Sequence, residues 1–200
     1  VNNSQSEHSG GFVITAEKLE GTIDLVRAFF GNATLAEGKI HGLQITKSLN
    51  TGQFGKMNLN FSSPGPITVF NLSVKTIDEK MPQFTGFCQP SSNNWICLEN
   101  VTMTVTSQSV KDIALPNLTI ASCFESNCPV KEIENPEPDE QKVQELKQLI
   151  ETKPESEKMI LSFLQKASQT GQIKGSADLV DQLIKLLKGE TATNDEAVPQ

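Results

Sequence analysis

The sequence predicts a mainly β protein, an antiparallel sandwich, barrel or roll, followed by a small C-terminal helical module. Three observations carry that expectation. Between Phe12 and about Ser122, short segments of alternating apolar and polar residues recur, separated by turn signals such as "SLNTG" and "SSPGP". Four cysteines fall into two close pairs, Cys88 with Cys97 and Cys123 with Cys128, spaced like local staples in an exported sheet. After residue 142 the apolar period changes from two residues to the 3.6 of a helix.

Taken in chain order, residues 1–11, "VNNSQSEHSGG", form a polar leader ending in glycines. The β-rich domain spans 12–128, with strands expected at 12–18, 22–29, 40–47, 56–62, 67–76, 95–106 and 116–122. The glycine-bearing "FFGNATLAEGK" between the second and third reads as a turn, and no basic residue follows in the register of a phosphate cradle. At 57–62, Met57, Leu59 and Phe61 alternate with Asn58, Asn60 and Ser62. At 68–74, Phe70, Leu72 and Val74 alternate with Asn71 and Ser73. In "NWICLENVTMTV", Trp95, Cys97, Val101, Met103 and Val105 share one parity while Asn100, Thr102 and Thr104 share the other, which assigns Cys97 to the buried face.

Residues 129–142, "PVKEIENPEPDEQK", hold three prolines and five acids and read as a linker. In 143–189 three helices are expected. Their apolar stripes are Val143, Leu146, Leu149 and Ile150; Ile160, Phe163, Leu164 and Ala167; and Leu179, Val180, Leu183, Ile184 and Leu187. Pro154 suits a first helical turn, Ser176 an N-cap and Gly189 a C-terminal stop. Helices this short are marginal alone, so the stripes must meet one another, as a three-helix module, or dock on the β-domain or a partner. Residues 190–200 are a polar tail.

Composition narrows the function classes. A net charge of −7 without a basic stripe argues against nucleic acid as a partner. No apolar run approaches the roughly 20 residues of a transmembrane helix. Zinc is disfavoured because eight and four residues separate the cysteine pairs and the two histidines, His8 and His41, lie far off. Structural disulfides remain, Cys88 to Cys97 and Cys123 to Cys128, since short loops close most readily. Six sequons, at Asn2, Asn32, Asn60, Asn71, Asn100 and Asn117, exceed the roughly two expected by chance and are glycosylation candidates.

No nucleophile elbow, phosphate loop, H-E-x-x-H or dinucleotide fingerprint occurs, and the carboxylates Glu17, Glu20 and Asp24 read as a solvated strand face. No catalytic, metal or cofactor site is expected, and the chain is read as a non-enzyme.

The phrase "FVITAEKLEGT", residues 12–22, resembles the opening strand of a family of exported β-rich actinobacterial proteins of unknown function, and "ENVTMTVTSQSVKDIALPNLTI" has a comparable rhythm. The resemblance covers at most residues 12–122. It implies an exported, β-rich chain without assigned catalytic residues. The expected function is therefore that of an extracellular or cell-surface structural or adhesive protein, a glycoprotein acting through a protein partner or self-association. The alternative is an extracellular module for an apolar ligand such as lipid, its groove lined by Phe12, Phe29, Phe30, Phe54, Phe61, Phe70, Phe84 and Phe87.

Overall fold

The computed structural model describes residues 11–109, 112–113, 117–124, 127–128, 137–153 and 155–190. The expected leader (but for Gly11), most of the linker, Pro154 and the tail from residue 191 lie outside the described residues. The chain is mainly β and then helical, as its periodicity predicts. Its strands are β1 (Phe12–Asp24), β2 (Asn32–His41), β3 (Leu43–Asn50), β4 (Lys56–Ser63), β5 (Ile67–Thr76), β6 (Gly86–Cys88), β7 (Ile96–Ser109), β8 (Asp112–Ile113) and β9 (Thr119–Phe124). The helices are α1 (Leu25–Phe29), α2 (Glu140–Thr152), α3 (Ser156–Thr170) and α4 (Gly175–Leu187). The nine strands among the described residues join one antiparallel sheet ordered β6-β7-β5-β2-β1-β3-β4-β9, with β8 on β5 and a further pairing of β7 with β1.

That further pairing closes part of the sheet. Strand β7 hydrogen-bonds both to β1, with Ile14 opposite Met103 and Leu19 opposite Leu98, and to β5, with Val74 opposite Gln108. β1, β2, β5 and β7 therefore form a ring of four, while β3, β4 and β9 continue outward as a single open layer.

A crease divides the two halves. β2 and β3 are one run of chain bent at Gly42: Lys18 opposes His41 and, three residues back on β1 and three further on past the bend, Thr15 opposes Gln44, so the register against β1 is kept across the bend. A Cβ at residue 42 would lie 2.6 Å from Cγ of Glu17, and φ there is 62°, so glycine satisfies both the close approach and the backbone. On the next strand β4 and β5 bend through Pro64–Gly65–Pro66, where the carbonyl of Pro64 accepts from the Gly42 N–H at 2.9 Å. On the other side β7 bends at Asn100, φ 48°, beside Glu17. Bends on successive strands line up, and the sheet folds along them.

Two departures from the expected elements have local causes. The strand expected at 22–29 ends at Asp24, whose Oδ1 accepts from the Arg27 N–H at 3.0 Å and caps α1. Leu25, Ala28 and Phe29 recur at helical spacing and are all buried. The segment read as a turn, "FFGNATLAEGK", turns only at Phe30–Gly31 and then runs as β2; its buried Gly38 hides the alternation. Similarly, Phe70 is 41% exposed where parity assigned it to the core. Asn71 takes φ 51°, so Phe70 and Asn71 both face outward before the buried parity resumes at Val74.

The helices continue the sheet's core. Leu146, Ile160, Leu164, Leu179 and Leu183 are fully buried in one contiguous apolar cluster with Phe84, Phe87, Ile96 and Leu98. The apolar stripes read from sequence are the buried stripes of α2, α3 and α4, and Gly189 follows the last helix with φ 76°. Ser176 is not the N-cap: α4 begins at Gly175, and the Ser176 N–H donates to the carbonyl of Phe84 at 3.0 Å, tying the helix to the sheet.

Candidate functional site

The open half of the sheet is amphipathic across strands. Cross-strand register places Met103, Ile14, Ile45, Phe61 and Ile120 in one file and Leu49, Met57 and Phe124 in another, with Leu59 between them. The opposite face carries Thr46, Ser48, Asn58, Asn60 and Cys123. Such a division is expected when one face of a sheet meets an apolar neighbour. Yet Ile45, Leu49, Met57, Leu59 and Phe61 are only half-buried, while Ile120 and Phe124 are 61% and 49% exposed.

At the crease this apolar face runs into a cavity of about 150 Å³ whose lining among the described residues is apolar throughout, including Ile14, Ile40, Leu43, Ile45, Val74 and Met103. Ile14, Ile45 and Met103 belong to both the face and the cavity. An apolar cavity of this size stays dry and takes up small hydrocarbons. The arrangement is a trough with a deep inner end. One cation interrupts it: Lys47, exposed, lies on the trough face between Ile45 and Leu49 and opposes Leu59.

Of the eight phenylalanines expected to line a groove, only Phe61 lies in the trough files. Phe29, Phe84 and Phe87 are core residues, and Phe54 and Phe70 are exposed elsewhere on the chain. The aliphatic members, Ile45, Leu49, Met57 and Ile120, were signalled by the alternation of their strands, but only cross-strand register shows that they share a face.

The cysteines pair as expected. Cys88 and Cys97 are joined with Cα atoms 4.9 Å apart, and Cys123 and Cys128 with Cα atoms 5.2 Å apart. Cys97 is fully buried, and its N–H donates to Ser168 Oγ, which in turn donates to the carbonyl of Cys88. The staple is thus also the seat of α3.

The sequon asparagines separate into groups. Asn2 lies outside the described residues. Asn32 is exposed at the start of β2, and Asn60 is half-buried with its Oδ1 enclosed and without a hydrogen-bond partner. Asn71, Asn100 and Asn117 hold φ of 51°, 48° and 53°. Asparagine tolerates that left-handed conformation better than other non-glycine residues, so three sequons have a backbone reason to exist apart from any glycan. Nδ2 of Asn100 donates to Thr85 Oγ1 at 2.9 Å, whereas Asn71 and Asn117 are exposed.

Glu20 does not belong to a solvated face. It is 1% exposed, and its carboxylate accepts from the Ser91 N–H at 3.2 Å and from the Ser91 hydroxyl, with Lys18 Nζ 3.4 Å away. Burial pushes this carboxyl up, but the two Ser91 hydrogen bonds and the Lys18 ammonium together outweigh it and hold the group below its ordinary value. A carboxylate with a lowered folded-state pKa stabilises the fold above its unfolded value, and that stability is lost as pH falls through the folded one. Glu20→Gln is therefore expected to destabilise the protein by about 1–3 kcal/mol at neutral pH. In denaturant titrations the gap should shrink as pH drops below the ordinary glutamate value of 4.5. A gap that stays constant down to pH values well below that would contradict the assignment. Asp24 caps α1 and pairs with Arg27, and Glu17 sits against Gly42, so the three carboxylates serve separate structural roles.

The chain matches no family model, no curated protein and no solved structure. Among the described residues, no three His, Cys, Asp or Glu side chains are grouped to hold a metal ion, and no helix is long and apolar enough to cross a membrane.

Proposed function

We propose that the protein is an exported binding module that takes up an apolar ligand, the acyl chain of a lipid, in the open half of its roll. The observation that supports this reading is the continuity between the half-exposed apolar face and the inner cavity, which together offer a chain a surface to lie along and a pocket for its end. Lys47 places an ammonium on the same face, suited to a carboxylate or phosphate headgroup. Two disulfides fit an oxidising compartment.

Titration with a fluorescent long-chain fatty acid tests it. Ile45→Glu combined with Phe61→Glu puts two charges in the trough and should weaken uptake at least tenfold, roughly 1.4 kcal/mol or more. Absence of saturable uptake by the unaltered protein, or equal uptake by the double variant, would exclude the trough as the site.

A second reading, contact with protein partners or copies of itself, is favoured by the position of β9. It is the last strand of the open layer, its outer edge unpaired among the described residues, and it carries the exposed Ile120 and Phe124. Light scattering at rising concentration separates the two readings. Concentration-dependent growth abolished by Ile120→Lys supports self-association, and a monomer throughout leaves lipid uptake as the better account.

A further inference from the structure

The loop closed by the Cys88–Cys97 disulfide forms, with one face of α3, a hollow of about 190 Å³ that shares no residue with the trough. Trp95, Asn93, Asn94 and Gln89 come from the loop, and Gln165 and Gln169, one helical turn apart, come from α3. Among the described residues no charged side chain lines it, although a fifth of the chain's residues are charged. Asparagine and glutamine side chains each present both donors and an acceptor, so this wall can bond groups that are themselves both donor and acceptor. Hydroxyl groups are of that kind, whereas an ion would find no countercharge in this first hollow. The indole supplies a flat apolar surface beside the amides.

The loop is held before any ligand arrives. The disulfide closes its base, Glu20 fixes Ser91 from below, Ser168 bridges both of its ends to α3, and Asn94 takes φ 70° at its tip. Little ordering is left for binding to impose. A second hollow of about 270 Å³ continues from the first, sharing Asn94 and Gln165 and running past Ile96 to Leu161 and the carboxylates Asp24 and Glu157. The pair makes a groove longer than one small molecule.

From this geometry we infer a saccharide-binding groove, in which a neutral oligosaccharide lays the C–H face of one ring on Trp95 and directs its hydroxyls to the amides of Asn93, Gln165 and Gln169. The chain carries one tryptophan and no tyrosine, so its intrinsic fluorescence reports on this groove alone. Maltotetraose, cellotetraose, mannotetraose and chitotetraose, each titrated to about 10 mM and followed by fluorescence and calorimetry, are the probes. At least one should shift the emission saturably. Gln165→Ala with Gln169→Ala, two exposed positions, should weaken that binding at least tenfold while leaving thermal unfolding unchanged. Silence with all four sugars in both measurements, or equal affinity in the double variant, would overturn the assignment.

Discussion

Phe84→Ala is expected to destabilise the sheet and the helices together, by about 3–5 kcal/mol, in a single unfolding transition. Phe84 is 1% exposed and packs edge-on to Phe87 with ring centroids 5.3 Å apart. Its carbonyl accepts from the first turn of α4, and its neighbours in the common core come from both β7 and the C-terminal helices. A cavity at this position removes contacts from both layers at once. In a folded unit of this size such a loss lowers the midpoint by roughly 10 °C. The far-UV helical signal and Trp95 fluorescence, one reporting α2 to α4 and the other the disulfide loop, should shift by the same amount. Two separate transitions, with only the helical one displaced, would show instead that the helices fold as a unit of their own.

Gly21→Ala is expected to cost about 3 kcal/mol although it adds a single methyl group. β1 and β2 approach unusually closely where Gly21 opposes Gly38. A Cβ at residue 21 would lie 2.3 Å from the carbonyl oxygen of Glu37 and 2.8 Å from Cα of Gly38. Those are backbone atoms of a paired strand, so relief requires the strands to part beside the buried Glu20. Gly86→Ala provides the contrast, because its nearest neighbour would be a side-chain atom at 3.7 Å, an ordinary contact, and its φ is not in the left-handed region. There the loss of unfolded-state freedom should dominate, making the variant neutral or more stable by up to about 1 kcal/mol. Equal denaturation midpoints for the two variants would contradict the close approach of β1 and β2.

The comparison of these two glycines shows how much of the molecule can be read before folding. Both lie outside the strands expected from the sequence, and nothing in "KLEGTI" or "FTGFC" distinguishes them. Their difference arises from what lies across the ladder. The candidate trough behaves the same way. The alternation of Met57, Leu59 and Phe61 declares one apolar side of one strand, but the patch exists only because Ile45 and Ile120 oppose Phe61 in register. Of the eight phenylalanines only Phe61 lies on that patch, since a large aromatic ring fills a closed core as readily as it lines an open groove.

By itself the sequence determined the class of the fold, the order of sheet before helices, the two disulfides and the buried stripes of the last three helices. Each of these depends on residues near one another in the chain: a period of two or 3.6, a short loop between cysteines, a glycine after a helix. Only the tertiary structure decided that β7 closes a ring with β1 and β5, that a crease runs through Glu17, Gly42 and Asn100, and that Glu20 is a buried carboxylate rather than a solvated one. It also decided that, among the described residues, one face of the open layer stays partly uncovered. These features join residues tens of positions apart, and local periodicity carries no information about which strand lies beside which or what covers a face once the strands have met.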